Sequence, residues 1–289
     1  MILPSLKKPQ SPRFSCGPTN KPDGWSLGKI NNNFIGRYHR STDVRKFIEQ
    51  QIDRVKKILR IPHSYKIFLT PGSCTGAMEA VIWSLLGKRE ITSLIYDFWG
   101  IEWLNDLKKL NYACDVRISL DGSMPSLNNI SPNNDVLFVW SGTTNGTSIG
   151  NLDFLNPYQK GLVVSDITSA VFIYDLPWKK IDVGVFSWQK ALGSESQHGM
   201  VVMSPKALDR LEEKKNIPKI FDFLKNDFVI NTPSLLTISD LKLCLDIFEF
   251  NGGLENSFKV CKENKLFLDN WIKNNDYVSY FVKQKKFQA

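Results

Sequence analysis

Two segments each place a chemically useful side chain just beyond a run of apolar residues. Leu162–Asp166 ends in a carboxylate, and Val183–Trp188 leads through Gln189 to Lys190. Runs of this length between helical segments suit strands covered on both faces, and ligands of such sheets gather beyond the carboxyl ends of the strands. An acid and a lysine at such strand ends suit an ordinary ion pair. They are also the two groups that pyridoxal phosphate (PLP) chemistry requires: an amine to form a Schiff base with the cofactor and a carboxylate to face its pyridine nitrogen. At an effective dielectric of about 20, an ionised Asp at about 4 Å attracts a pyridinium by roughly 4 kcal/mol before desolvation, about three pKa units. A lysine must lose its proton to attack an aldehyde or to carry a proton at a substrate Cα. Desolvation in a cofactor pocket lowers its pKa from about 10.4.

Three further strand-end loops carry candidate contacts. Pro71-Gly72-Ser73-Cys74-Thr75-Gly76 is a glycine-containing turn opening a helix, where backbone N–H groups and hydroxyls can hold a phosphate, although the turn needs glycine for its geometry in any case. It lacks the GK[ST] ending of a P-loop, and the chain has no GxGxxG dinucleotide fingerprint. In Asp97-Phe98-Trp99-Gly100, Trp99 could stack on a flat heterocycle or be one more core tryptophan. In Ser141–Gly146, Thr143 or Thr144 could donate a hydrogen bond to a ring substituent.

These positions need a scaffold. Residues 1–40, rich in Pro, Gly and Asn, read as an irregular arm. Thr42 or Asp43 then caps a helix whose apolar residues run from Val44 to Leu59. Tyr65–Thr70, Ser93–Tyr96, Val136–Trp140, Leu162–Asp166, Val183–Trp188 and Gly199–Ser204 read as strands, and Ala77–Leu86 as a helix. The alternation predicts an α/β fold with a mostly parallel sheet. Leu235–Phe250 reads as a helix stopping at Gly252-Gly253, Leu254–Asn274 as a second amphipathic helix, and Tyr277–Val282 as the start of a strand. The division expected is a large domain over residues 1–252 and the beginning of a small one over 253–289.

Composition narrows the partners. The 289 residues, 42% hydrophobic, suit a folded chain with a sizeable core. No apolar run approaches the roughly 20 residues that span a bilayer, and the start lacks a secretory signal, so no membrane role is expected. Five scattered cysteines without a CxxC pair favour reduced thiols and a cytoplasmic setting. His39, His63 and His198 lack metal-ligand spacing, so no metal is expected. The net charge of +8 is mostly solvated lysine and would also favour an anionic small substrate; no nucleic-acid-binding module accompanies it.

The segment SWQKALGSESQHGM resembles the cofactor-lysine segment of the phosphoserine aminotransferases, a family of class V aminotransferases. FSCGPTNKPDGWSL, GRYHRS, PGSCTGAMEAVIWSLLG, VWSGTTNGT, SDITSAVFIYDLPW and INTPS resemble that family in the same order, from about Phe14 to Trp271. The resemblance implies the PLP-dependent transferase fold of type I, a three-layer αβα sandwich. It implies PLP held by Lys190, with Asp166 at the pyridine nitrogen and Trp99 on the ring face. Cys74 and Thr75 would lie at the cofactor phosphate, and Thr144 and Gln189 would contact the ring. Asn231 and Thr232 would reach the cofactor phosphate of a neighbouring subunit in a homodimer. His39 and Arg40 would bind the substrate phosphate, a task that suits the planar arginine fork. The implied reaction moves an amino group between L-glutamate and 3-phosphohydroxypyruvate, in serine and pyridoxine biosynthesis. Gln189, where cysteine desulfurases carry His, separates the chain from that neighbour, and Cys244 and Cys261 read as core residues on amphipathic helices.

The resemblance stops short at one end. Family members carry a C-terminal arginine that clamps the substrate α-carboxylate and a histidine near the substrate phosphate. This chain has no Arg after Arg210 and no His after His198. A truncated product of an ordinary transaminase is the expectation. The alternatives are a PLP-binding pseudoenzyme and another class V aminotransferase.

Overall fold

A computed structural model describes residues 17–212, 216–225 and 227–289. The first 16 positions of the expected arm, Cys16 among them, lie outside the described residues. Among the described residues seven strands form one sheet: β1 (Lys66–Pro71), β2 (Ile91–Ile95), β3 (Cys114–Ile118), β4 (Asp135–Val139), β5 (Val163–Asp166), β6 (Val183–Ser187) and β7 (His198–Met203). Their order is β1-β7-β6-β5-β4-β2-β3. Pairings from β3 through β2, β4 and β5 to β6 are parallel, and β7 runs antiparallel to both of its neighbours. The mostly parallel α/β architecture expected from the alternation is the one present.

Among the described residues six α-helices accompany the sheet: α1 (Thr42–Ile58), α2 (Ser73–Leu85), α3 (Phe98–Lys109), α4 (Pro205–Glu212), α5 (Leu235–Phe250) and α6 (Gly253–Lys273). Alternate strand residues point to opposite faces, so the sheet builds two cores. Ile67, Leu69, Phe138, Phe186 and Met200 pack with Phe47 and Ile48 of α1 and Leu241 and Leu245 of α5. Phe68, Leu137, Val185 and Val201 pack with Met78 and Val81 of α2, Leu107 of α3 and Ala207 of α4. At roughly 1.5–3 kcal/mol per fully buried large apolar side chain, these layers hold the strand ends in place.

Several boundaries differ from the sequence reading. Ser41, not Thr42 or Asp43, is the N-cap of α1. Helix α2 begins at Ser73 rather than Ala77, because Gly72 turns the chain with φ of 83°. A Cβ on Gly76 would lie 2.4 Å from the Pro71 carbonyl oxygen, so this first turn closes against the strand end only with glycine there. Strand β3 went unread. It is an edge strand with Val116 and Ile118 exposed, and it lacks the continuous apolar run of the interior strands. Tyr277–Val282 joins no strand. Instead Lys283 N–H donates to the Gly122 carbonyl at 2.9 Å and Val282 is buried. The chain end then lies on the 141–150 loop, where Ser148 N–H donates to the Phe287 carbonyl at 2.7 Å. Cys244 is buried, whereas Cys261 is only half-buried on α6, a helix whose buried residue is Leu254. No helix among the described residues is long and apolar enough to cross a membrane.

Candidate active site

Asp166 is the last residue of β5, and Lys190 follows β6 by three positions. These are neighbouring parallel strands with Asp166 opposite Val185, so both side chains leave the sheet at the same, carboxyl edge. They open into one cavity of about 180 Å³. Ser73, Cys74 and Thr75 from the first turn of α2 line it, as do Trp99 and Trp103 from α3. Thr143, Thr168, Ser169 and Gln189 come from strand-end loops, and Gly17 and Pro18 from the arm.

Asp166 is buried. It accepts hydrogen bonds from Thr168 N–H at 3.0 Å and from the Trp103 indole N–H at 3.3 Å. Burial pushes its pKa above the usual carboxylate range, and these donors pull the other way. A cationic ring nitrogen beside it would complete the stabilisation of the ionised form. The buried Cys74 thiol, close to Asp166, is pushed well above its ordinary range, first by desolvation and then by that carboxylate, so it is a neutral wall rather than a nucleophile.

Trp99 belongs to a small aromatic stack. Its ring lies 5.9 Å from that of Trp103 at 26°, with Phe98 edge-on at 5.4 Å. Asp97 caps α3 by accepting Gly100 N–H at 2.9 Å, which fixes where this stack projects.

At α2, the Gln197 carbonyl accepts the amides of Gly72 and Ser73 at 3.0 and 3.1 Å. The first-turn amides of Cys74 and Thr75 have no helical carbonyl within reach, which is the donor set an anion takes at a helix N-terminus. Gln189 supplies a further sign of a polar occupant: its Oε1 is buried without a hydrogen-bond partner. A buried acid, a flat aromatic wall, a helix N-terminus, an unmatched polar atom and a lysine therefore converge on one space. This set fits a planar, anionic, aldehyde-bearing cofactor.

Of the residues the sequence pointed to, Cys74, Thr75, Trp99, Asp166, Gln189 and Lys190 share this cavity. Thr144 does not: it is exposed, while its neighbour Thr143 lines the space. The reason is local. Asn145 donates to the Tyr96 carbonyl at 2.6 Å and accepts Thr147 N–H at 3.0 Å, turning the loop so that position 144 faces out. His39, Arg40 and Asn231 line a different cavity of about 260 Å³, with Arg45 and Lys225, that has no lining residue in common with the first. Thr232 is exposed and lines neither. Trp103, Thr168, Gly17 and Pro18 were not anticipated. Trp103 had a signal, since it sits four residues after Trp99 on the same helix face.

No family model matches the chain. Among curated proteins it is 36% identical to a phosphoserine aminotransferase of Methanosarcina mazei, over 97% of this chain and 80% of that protein. It is 34% identical to the phosphoserine aminotransferase of Methanosarcina barkeri over the same shares. The chain belongs to the phosphoserine aminotransferase family. The fold agrees: the PLP-bound phosphoserine aminotransferase of Trichomonas vaginalis superposes with a TM-score of 0.77 at 19% identity, covering 96% of this chain and 81% of that one. In this chain the cavity between β5, β6, α2 and α3 is where the Lys190 segment, the glycine turn and the Trp99 loop meet.

Proposed function

We propose that this chain is a PLP-dependent transaminase that moves the amino group of L-glutamate to 3-phosphohydroxypyruvate, giving 2-oxoglutarate and phosphoserine. The observation that carries the reading is the pairing of Asp166 and Lys190 at the carboxyl ends of adjacent parallel strands, inside one aromatic-walled cavity. When bound, the cofactor supplies an electron-accepting ring conjugated to the substrate Cα. Lys190 attaches the cofactor and moves the proton at Cα. Asp166 holds a proton on the pyridine nitrogen, Trp99 fixes the plane of the ring, and Cys74 and Thr75 offer amides to its phosphate.

Substrate recognition draws on the second cavity. Arg40, with its planar fork, is the group there suited to a phosphorylated substrate; Arg45 and Lys225 line the same cavity but pair with Asp227 and Asp222. His39 Nε2 is buried there without a partner. Within one chain this cavity lies apart from Lys190, so the proposal includes a homodimer in which His39, Arg40, Asn231 and Thr232 serve the partner's site. The same chemistry accommodates the phosphorylated substrate of pyridoxine biosynthesis, and the setting proposed is the cytoplasm.

Borohydride reduction of the PLP-loaded protein followed by peptide mapping tests the reading. The cofactor is expected on Lys190, and Lys190→Ala should take up none covalently and fail to bleach bound cofactor with L-glutamate. A label elsewhere, or turnover by Lys190→Ala, overturns it. A protein labelled at Lys190 that glutamate never bleaches would be a cofactor-binding protein and not a transaminase. A homodimer that prefers phosphorylated acceptors is expected in solution.

A further inference from the structure

Asp240 lies on α5, outside the cavity, yet it ties two separate pieces of the chain to that helix. It is 1% exposed. The Lys21 ammonium donates to both of its oxygens, at 3.1 and 3.0 Å, and the Trp25 indole N–H donates at 2.7 Å. Ser194 hydroxyl and Glu195 N–H donate at 2.6 and 2.7 Å. A carboxylate offers about four lone-pair positions, so this one is saturated. Lys21 also pairs with Glu195 at 2.9 Å and lies over the Trp25 ring at 4.9 Å. Burial alone would lower the Lys21 pKa, but Glu195 and Asp240 outweigh it and the ammonium is held above its ordinary value.

Both groups of donors lead to Lys190. Ser194 and Glu195 end the turn that Lys190 begins. Gly193 N–H donates to the Lys190 carbonyl at 2.9 Å, Ser194 N–H to the Trp188 carbonyl at 3.2 Å, and the Trp188 indole to the Glu195 carbonyl at 2.5 Å. The arm bearing Lys21 and Trp25 covers the same residue from the other side. Thr19 donates its N–H to the Gln189 carbonyl at 2.9 Å and its hydroxyl to the Lys190 carbonyl at 2.6 Å. Gly17 then approaches so closely that a Cβ there would sit 2.5 Å from Lys190 Nζ.

We propose that Asp240 is a positioning residue for Lys190: it clamps the arm and the lysine turn against one another, so that the cavity wall at Gly17 and the lysine amine stay in register. A desolvated carboxylate that accepts five hydrogen bonds from four donor groups on two segments resists displacement by either of them, because removing a donor leaves buried charge uncompensated. Lys190 must deliver a proton within hydrogen-bond reach of the substrate Cα, and misplacement by about 1 Å costs on the order of a hundredfold in rate.

The inference rests on the role of Lys190 proposed above, and the test separates the two. Asp240→Ala risks misfolding, so the arm side is altered instead with Lys21→Met, Trp25→Phe and Lys21→Arg in the full chain loaded with PLP. Borohydride mapping should place the cofactor on Lys190 in wild type and in all three variants. Lys21→Met strands the Asp240 charge and should lower the thermal midpoint, so rates are compared at a temperature where every variant is folded. The single-turnover rate constant with saturating L-glutamate should fall about tenfold in Lys21→Met and in Trp25→Phe, without a matching loss of PLP affinity, and Lys21→Arg should recover most of it. Wild-type rates in Lys21→Met and Trp25→Phe, with the label on Lys190, overturn the clamp and leave the transaminase reading intact. A wild type without label on Lys190 overturns both.

Discussion

The indole N–H of Trp103 reaches Asp166 Oδ2 at 3.3 Å, while its ring stacks against Trp99. One side chain therefore links the acid proposed for the pyridine nitrogen to the aromatic wall proposed for the ring face. Trp103→Phe keeps the stack and removes the donor. A hydrogen bond to a charged acceptor is worth about 1.5–3 kcal/mol, and this long one belongs at the low end. PLP affinity, measured by fluorescence titration, should fall about tenfold. Unchanged affinity would mean that the Trp103 indole does not contribute to holding Asp166 ionised.

His198 supplies a pH dependence of folding. Its Nε2 accepts Ser234 N–H at 2.9 Å and its Nδ1 lies 3.2 Å from the Thr70 carbonyl, so the ring bridges β1 and the start of α5 in its neutral form. Burial lowers its pKa from 6.5 to about 4. Between those values the unfolded chain binds the proton and the folded chain does not, so stability drops as pH falls from 6.5 towards 4. The loss at pH 5 relative to pH 7 should be about 2 kcal/mol from this group. Urea denaturation at the two pH values measures it, and His198→Asn should flatten the slope. A slope equal to that of wild type would exclude His198 as its source.

Arg210 and Asp135 form a buried pair under the sheet edge, at 3.1 Å, with the carboxylate fully enclosed and also accepting Leu162 N–H at 2.7 Å. Desolvation raises the Asp135 pKa despite the arginine. Arg210→Met leaves that charge uncompensated and should cost about 3–5 kcal/mol. Adding Asp135→Asn removes the stranded charge, so the double variant should be more stable than the single one. Chemical denaturation of the three proteins decides it. Equal stability of single and double variants would show that Arg210 acts through packing of its stem.

The parts legible in the sequence were those where one physical demand dominated. β4, β5 and β6 are covered on both faces, so Val136–Val139, Val163–Val164 and Val183–Phe186 read as uninterrupted apolar runs. Their ends pointed directly at Asp166 and Lys190. β3 answers to two demands, half in and half out at an edge, and Cys114–Ile118 shows no such run. Asp240 was illegible for another reason: it makes its polar contacts from an apolar helix face, and its partners Lys21, Trp25 and Ser194 are brought near only by the fold. Trp103 had its spacing from Trp99 as a signal, but its contact to Asp166 exists only once the sheet is built. Thr143 and Thr144 were equivalent on paper, and the Asn145 contacts that turn one inward depend on the Tyr96 carbonyl of a different strand end.

Gly17 gives the most direct perturbation of the lysine. Its φ of 137° lies where residues with a side chain are strained by about 1–3 kcal/mol, and a new methyl would overlap Lys190 Nζ, Cδ and Cε at 2.5 to 2.9 Å. The lysine side chain is flexible and can give way more cheaply than backbone, so Gly17→Ala should still fold, with its thermal midpoint lowered only by the backbone strain, while the amine is pushed from its place. The expected signature is a single-turnover rate with L-glutamate lowered about a hundredfold, with borohydride still fixing cofactor to Lys190, though more slowly. If the arm instead lifts away, the Thr19 amide, bonded to the Gln189 carbonyl, should exchange with deuterium far faster than in wild type. A variant that keeps both the wild-type rate and the wild-type protection of the Thr19 amide would show that the contact between Gly17 and Lys190 does not set the position of the amine.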